Sequence, residues 1–168
     1  MATPSIVATI NDFLEARKTL EGSATWRDMG HHGQFRLIFP IHIDGVSTGF
    51  DFEICAYPNI VPLRFTISIR QPLCIWRIDY SETDVHTNSL NAPSDIAGLT
   101  IVGVHYHAWS DNSRFVTSSQ LPKNMKNARP LSKDINNFEA AFEWLCREIN
   151  IELPEPGEVV LPARTELF

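Results

Sequence analysis

The sequence has few cysteines and no long apolar run, and these two absences exclude whole classes of protein. Its three cysteines, Cys55, Cys74 and Cys146, are widely spaced and form no C-x-x-C motif. An odd number of such cysteines predicts reduced thiols rather than a disulfide scaffold. No apolar stretch approaches the roughly 20 residues that a membrane-spanning helix needs, and the first residues lack the basic and apolar segments of a signal peptide. We therefore expect a cytoplasmic chain without a membrane partner.

Positive charge is scarce as well. The chain carries 14 Lys and Arg residues against 20 Asp and Glu residues, which gives a net charge of -6 at pH 7. Non-specific binding to nucleic acid requires a basic surface, so we expect no bulk nucleic-acid binding. The sequence also lacks a glycine-rich phosphate loop, a G-x-S-x-G nucleophile motif and an H-E-x-x-H zinc motif. No familiar catalytic motif therefore indicates an enzyme class.

The remaining composition is that of an ordinary globular domain. Hydrophobic residues make up 43% and charged residues 20% of the 168 residues. This length suits one domain with its own core. We predict a single α+β domain over residues 1–152. Three prolines in the last 16 residues predict an extended tail over residues 153–168.

Hydrophobic periodicity divides the domain into helices and strands. Apolar residues at helical spacing predict a helix over residues 4–20, with Thr3 as its cap, Pro4 in its first turn and Gly22 after its end. A second helix is predicted over residues 133–149. Between the helices, an alternating pattern with period two predicts about five antiparallel strands, at residues 35–43, 50–56, 63–70, 73–80 and 100–108. Both helices should pack on one face of this sheet.

Two of these strands separate an apolar face from a polar one. On residues 73–80, Arg77 and Asp79 alternate with apolar neighbours, and on residues 100–108 His105 and His107 do the same. If the apolar faces meet the core, the four polar side chains emerge together on the opposite face, about 5 Å apart across the strands. The loop over residues 81–99 brings His86 and Asn88 near them.

This polar cluster predicts a ligand site. Histidines titrate near neutral pH and can act as acid and base, and an arginine can hold a phosphate oxygen. We expect catalytic roles for His86, His105 and His107, and ligand-binding roles for Arg77, Asp79 and Asn88. The expected ligand bears a phosphate, as RNA or a nucleotide does, and no metal or cofactor is expected.

Two other interpretations of the same residues stay open. Three histidines and an aspartate could ligate Zn²⁺ or Fe²⁺ in a metal-dependent enzyme. Arg77 and Asp79 could instead form a plain surface ion pair beside two histidines that are only the polar half of a strand. The pair His31 and His32 in "MGHHGQ" is a weaker candidate for metal or phosphate. Cys74 and Cys146 are expected to be inert because they adjoin core residues.

The segments "WRIDYSETDVHTN", "GVHYHAW" and "FEAAFEWLCREINI" resemble a family of small uncharacterised bacterial proteins. The family pattern is Arg-Ile/Leu-Asp, then His-x-Asn, then His-x-His, and it covers about the second half of the chain. The resemblance implies an accessory role in toxin–antitoxin, mobile-element or phage-defence systems, with no established activity. It falls on the same residues that strand alternation groups together, from Arg77 to His107.

Two further expectations concern the fold family and the partner. The "YPNIVP" and "HTN" segments are similar to signals of ubiquitin-conjugating enzymes, but no cysteine follows His86 until Cys146, so conjugating chemistry is not expected. The acidic charge suggests an alternative function as a non-catalytic module, antitoxin- or inhibitor-like, that binds a basic protein. The sequence leaves a homodimer open.

Overall fold

The computed structural model describes residues 5–30, 33–116 and 125–164. Within these ranges, no helix has the length and apolar character needed to cross a bilayer. In chain order, the elements are α1 (Ile6–Glu15), β1 (Thr19–Leu20), β2 (Arg27–Asp28), β3 (Phe35–Ile43), β4 (Val46–Tyr57), β5 (Arg64–Gln71), β6 (Leu73–Tyr80), β7 (Val85–Thr87), β8 (Thr100–Val102), β9 (His105–His107), α2 (Trp109–Asn112), a 3-10 helix (Ser113–Phe115), β10 (Arg129–Pro130) and α3 (Phe138–Glu148).

An antiparallel sheet forms the framework of the fold. Among the described residues, eight strands join it in the order β1-β3-β4-β5-β6-β9-β10, with β2 also paired to β3. Strands β7 and β8 form a separate two-stranded sheet. The α+β class and the antiparallel sheet are therefore confirmed. The predicted number of about five strands is wrong, because short strands of two or three residues are too brief to show a period.

Both longer helices pack on the same face of this sheet. The Phe13 ring of α1 stacks on Phe50 at 4.1 Å between centroids, and Phe142 of α3 meets Phe52 edge-on at 5.4 Å. Phe50 and Phe52 lie two residues apart on β4, so they point to one side of the sheet. This aromatic layer, with Phe65 and Phe138 at 5.2 Å, is the centre of the core.

The first helix is shorter than its apolar pattern predicts. It ends at Glu15, and Thr19 and Leu20 pair with β3 instead of continuing the helix to residue 20. Ser5 caps its N-terminus through a hydrogen bond from the Ala8 amide at 3.2 Å. The predicted cap residues 3 and 4 lie outside the described part of the chain.

The third helix also begins later than predicted. It starts at Phe138 rather than near residue 133, because Asn137 is its cap and accepts from the Ala140 amide at 2.8 Å. The chain between β9 and α3 forms α2, the 3-10 helix and β10 in its described part. The described tail has no helix or strand, yet Val159 is buried against the core.

A β-bulge changes the alternation in β6. The register passes from Ile69 opposite Trp76 to Arg70 opposite Cys74, so Ile75 is an extra residue in β6 and is fully buried. Cys74 consequently shares the polar side of the sheet with Arg70 instead of the core side. The expected face of Cys74 is therefore wrong, since strict alternation cannot anticipate a bulge.

The single strand predicted over residues 100–108 is two strands. Gly103, at a φ of 93°, lies between β8 and β9, and the two strands pair with different partners. A positive φ of this size is readily adopted only by glycine. Val102 is consequently 72% exposed, which corrects the expectation that it faces the core. Between residues 81 and 99, the expected loop contains β7.

Candidate functional site

Strands β6 and β9 place four polar side chains on one face of the sheet. Arg77 lies opposite His107, and Asp79 lies opposite His105, in an antiparallel register. Residues opposite each other across a sheet have neighbouring side chains. The alternation of the sequence is therefore correct over these three positions of each strand, which lie beyond the bulge.

Three of these side chains converge on one carboxylate oxygen of the fourth, Asp79. Asp79 Oδ2 lies 2.9 Å from Arg77 Nε and 2.8 Å from the terminal nitrogen Nη2. The same oxygen lies 3.2 Å from His107 Nε2 and 3.5 Å from His105 Nε2. His105 and His107 are 3% and 0% exposed, so the cluster is built into the protein rather than spread over a wet surface.

Backbone carbonyls fix the tautomers of the two buried histidines. His105 Nδ1 lies 2.8 Å from the Gly103 carbonyl, and His107 Nδ1 lies 3.1 Å from the Asn127 carbonyl. A carbonyl only accepts, so each Nδ1 must carry the proton that it donates. In the neutral form of each ring, Nε2 then presents a lone pair toward Asp79 Oδ2, which is itself an acceptor.

The Nε2 lone pairs of His105 and His107 repel the negatively charged oxygen of Asp79 unless a positive charge or a proton lies between them. Arg77 Nη2 supplies it for His107, because it lies 3.0 Å from His107 Nε2 and donates to it. Within the described ranges, no comparable side-chain donor bonds to His105 Nε2. A cation between His105 Nε2 and Asp79 Oδ2, either a proton or a metal ion, would resolve the contact.

The electrostatics of the site push its titratable groups in different directions. Burial alone would raise the pKa of Asp79, but the contacts with His105 and His107 and the charge of Arg77 lower it far below the usual range. Burial lowers the pKa of His107, and the nearby Asp79 does not compensate fully. For His105, burial also acts downward, yet the hydrogen bond with Asp79 raises its pKa overall. His105 is therefore the imidazole that takes up a proton most readily.

The third histidine reaches the cluster from the small β7–β8 sheet. The His86 ring lies 4.9 Å from the ring of His107 and 5.3 Å from that of His105, measured between centroids. One ligand nitrogen from each of the three histidines can be chosen so that all lie within 4.8 Å of one another. His86 is half-buried, and burial lowers its pKa. Its Nε2 lies 3.1 Å from the Lys126 carbonyl.

Asn88 holds a covering loop over the site and also forms a side-chain hydrogen bond with His86. Its Nδ2 donates to the carbonyls of Ile96 and Ala128 at 3.0 and 2.8 Å, and its Oδ1 accepts from the Ala128 amide at 2.7 Å. These bonds use the amide group on backbone partners. The ligand-binding role expected for Asn88 stays a prediction. Its backbone contacts position the segment whose Lys126 and Asn127 carbonyls accept from His86 and His107.

The sequence did not indicate a second group of buried polar residues, which lies beside His107 and includes Asn112 and Asn127. Asn127 is fully buried and its carbonyl accepts from both His107 and Asn112, while its Nδ2 donates to the Asp111 carbonyl at 2.9 Å. Arg129 forms two bonds with Asp111, both 2.8 Å long. These residues follow no periodic pattern, and Asn127 contacts His107 through its backbone carbonyl, so the sequence carries no signal for them.

The remaining candidates from the sequence are two histidines and two cysteines. His31 and His32 lie outside the described residues. Cys146 is buried, and burial raises the pKa of its thiol to about 12. Burial also raises the pKa of Cys74, to about 11. Thiols held in the protonated form are poor nucleophiles and poor metal ligands.

Comparison with protein-family models, with curated proteins and with solved structures gives no match for this chain. The resemblance to small bacterial proteins therefore stays a prediction. The chemistry of the site must be argued from its own geometry.

Proposed function

We propose that the chain binds a divalent transition metal at the histidine centre, defined as Asp79, His86, His105 and His107, and uses it on a phosphate-bearing ligand. One observation carries the proposal: imidazole lone pairs and a carboxylate oxygen converge where a cation is needed. A proton can bridge only one nitrogen and one oxygen, whereas a metal ion can engage three imidazoles and a carboxylate at once.

The distances support an ion of the size of Zn²⁺. Zinc–nitrogen bonds of about 2.0–2.1 Å put neighbouring ligand atoms of a tetrahedral site about 3.4 Å apart. Asp79 Oδ2 lies 3.2 and 3.5 Å from the Nε2 atoms of His107 and His105, close to that spacing. The three histidine nitrogens span up to 4.8 Å, so one ring must approach the others by about 1 Å. His86 is the ring that can move, because it is half-buried and lies on the separate small sheet.

The surroundings of the histidines also match those of metal ligands. Metal-bound histidines usually donate their second ring N–H to a carbonyl or carboxylate, which fixes the ring and the tautomer. His105 and His107 do so through Nδ1 to the Gly103 and Asn127 carbonyls. The Nε2 atom of His105 is thereby left for the metal, and that of His107 becomes available when Arg77 turns away from it.

Arg77 supports the choice of a phosphate-bearing ligand. Its side chain is 35% exposed, while those of His105 and His107 are 4% and 0% exposed, so a ligand meets the guanidinium first. A metal ion on Asp79 weakens the pull of this carboxylate on Arg77 and repels the guanidinium. Arg77 then turns to an external anion, and phosphate oxygens suit its planar fork. A bound metal can activate water or polarise a phosphoryl oxygen beside it.

Elemental analysis of protein prepared without a histidine tag tests the metal centre. We expect about one equivalent of zinc after loading and dialysis, and about a tenth of that in His86→Ala. His42→Ala is the matched control, since it removes a histidine of β3 outside the centre and should keep the metal. Equal zinc in all three proteins, or none in the unmutated protein, would overturn the proposal and leave a protonated His105 as the cation.

The phosphate ligand has its own test. The zinc-loaded protein should bind or hydrolyse members of a panel of phosphomonoesters, phosphodiesters and nucleotides, and Arg77→Ala should keep zinc but lose at least about tenfold of that activity. A zinc protein that ignores the whole panel would contradict the ligand class and leave the metal centre standing. In that case, a salt-sensitive protein partner in a pull-down would favour the non-catalytic binding module instead.

A further inference from the structure

The side of β6 and β9 opposite the histidine centre borders a cleft. This cleft of about 310 Å³ opens between the ends of α1 and α3, at the lower end of the size range of ligand pockets. Its lining includes Glu15, Trp76, Tyr106, Trp109, Asp111 and Glu148.

Aromatic residues supply the apolar wall of this cleft. Trp76 and Trp109 are 5% and 3% exposed, and the ring of Tyr106 lies 5.2 Å from that of Trp76. Hydrogen bonding fixes Trp109, whose Nε1 donates to Asn11 Oδ1 at 2.9 Å. Rigid aromatic surfaces of this kind hold aliphatic groups, and their faces attract cations.

Two carboxylates on the rim lack a compensating charge. Glu15 and Glu148 both line the cleft, and neither forms an ion pair with any residue in the described ranges. Arg129 also lines the cleft, but its guanidinium is held by Asp111 and Asp95. The positive charge of Arg129 is thus already balanced, and the two glutamates leave the cleft negative.

Both glutamates occupy unfavourable places in their helices. Glu15 is the last residue of α1, and Glu148 is the last residue of α3. Helix C-termini carry partial negative charge, so a carboxylate there destabilises the helix. Lys18 offsets this charge for the carbonyls of α1, but it is fully buried and does not reach the rim. Such a local conflict is characteristic of functional positions.

We propose that this cleft binds a small organic cation, a protonated amine or quaternary ammonium, with its charge at Glu15 and Glu148 and its aliphatic part against the aromatic wall. The carboxylates provide the charge that an amine needs, and the cleft has room for a short carbon chain. This site stands apart from the proposed metal centre, because it uses the alternate residues of the same strands.

Calorimetric titration with three probes of equal size tests the proposal. n-Butylammonium, n-butanol and butyrate share one carbon chain and differ in charge. We expect saturable binding of n-butylammonium with a Kd of about 1 mM, which weakens as salt is added, and at least about tenfold weaker binding of the other two probes. Butanol binding as tightly as the amine, or no saturation with any probe, would overturn the proposal.

Substitution of the rim distinguishes the cleft from non-specific attraction to an acidic protein. Glu148→Gln should weaken n-butylammonium binding about tenfold, because one of two unpaired carboxylates is lost. Glu139→Gln is the matched control, since it makes the same change in the first turn of the same helix, away from the cleft. Equal effects of the two substitutions would contradict a defined site.

Discussion

The Lys18 side chain takes over the hydrogen bonds that α1 no longer makes at its C-terminus. Its ammonium donates to the carbonyls of Phe13, Leu14 and Ala16 at 2.7, 3.0 and 2.6 Å, and the residue is fully buried. These carbonyls belong to the last turn, which has no partners within the helix. A buried lysine is costly unless it is paired in this way. Nothing in the sequence distinguishes Lys18 from a surface lysine.

Replacing Lys18 tests this cap. Lys18→Met keeps the length of the side chain but leaves buried carbonyls unpaired, so we expect a loss of about 2–4 kcal/mol in the free energy of unfolding at pH 7. Urea denaturation followed by circular dichroism measures it. Arg17→Met, at an exposed neighbour, should change the free energy by less than about 1 kcal/mol.

The same cap makes stability depend on pH. Burial lowers the pKa of Lys18 from 10.5 to about 8. Below pH 8 the lysine is protonated in both states, while between pH 8 and 10.5 the unfolded chain binds more protons than the folded one. The unmutated protein should therefore gain stability relative to Lys18→Met as pH rises through this interval. A constant difference would mean that the carbonyls keep the pKa near its ordinary value.

Prediction of the site succeeds where side chains face one another across adjacent strands. Arg77, Asp79, His105 and His107 follow strict alternation, and their grouping is therefore present in the sequence. The tautomers of the histidines could not be predicted, because they depend on backbone carbonyls of distant residues. The bonds of the Asn88 amide to the Ile96 and Ala128 backbone could not be predicted either, and its ligand-binding role stays a prediction.

At the scale of elements, Gly103 decides whether β8 and β9 form one strand or two. Its φ of 93° turns the chain between two sheets, and its carbonyl accepts from His105 Nδ1. No crowding prevents a side chain here, since the nearest atom to an added Cβ is the Glu82 carbonyl at 3.6 Å. The constraint is therefore the backbone conformation alone.

Substitution at Gly103 should affect both stability and the metal. We expect Gly103→Ala to lower the free energy of unfolding by about 1–2 kcal/mol, because Ala resists a positive φ. It should also weaken zinc binding, since the carbonyl that orients His105 shifts. Gly157→Ala is the control, because Gly157 has a φ of 83° in the tail, where an added Cβ meets nothing. It should lose stability alone; equal zinc affinity in both variants would separate Gly103 from the centre.

Local patterns predicted the long strands and missed the short ones for a physical reason. Strand β6 was predicted over the residues that the structure gives it, because apolar and polar side chains alternate over most of its length. In the β7–β8 sheet, Val85 and Val102 are 65% and 72% exposed. As apolar residues, these valines would be predicted to be buried. A strand of three residues is too short to show from its pattern which face is exposed. The end of α1 was misplaced because Thr19 and Leu20 pair with β3, and the start of α3 was misplaced because Asn137 caps it.

At the scale of the whole molecule, the tail contributes to the fold. The boundary predicted at residue 152 stays a prediction, but the described tail packs on the domain rather than leaving it. Val159 is 8% exposed and belongs to the core, and the Val160 carbonyl accepts from Trp26 Nε1 at 2.8 Å. Val160 itself is 49% exposed. Val159 and Val160 therefore allow the effect of a buried and of an exposed valine on stability to be compared at adjacent positions.

The two valines test whether the tail is docked in solution. Val159→Ala should cost about 1–2 kcal/mol in the free energy of unfolding, because it removes buried methyl groups. Val160→Ala should change it by less than about 0.5 kcal/mol. Urea denaturation measures both. Similar small effects would show that the last segment adds nothing to stability.

Strands β6 and β9 share only three register positions: Arg77 with His107, Ile78 with Tyr106, and Asp79 with His105. The outer two pairs hold the histidine centre, and the middle pair turns Tyr106 toward the amine cleft. Side chains on the two faces of the sheet are attached to the same backbone. A displacement of β6 or β9 therefore moves the residues of both faces together. These three residue pairs therefore form the shortest covalent and hydrogen-bonded link between the residues of the two proposed sites.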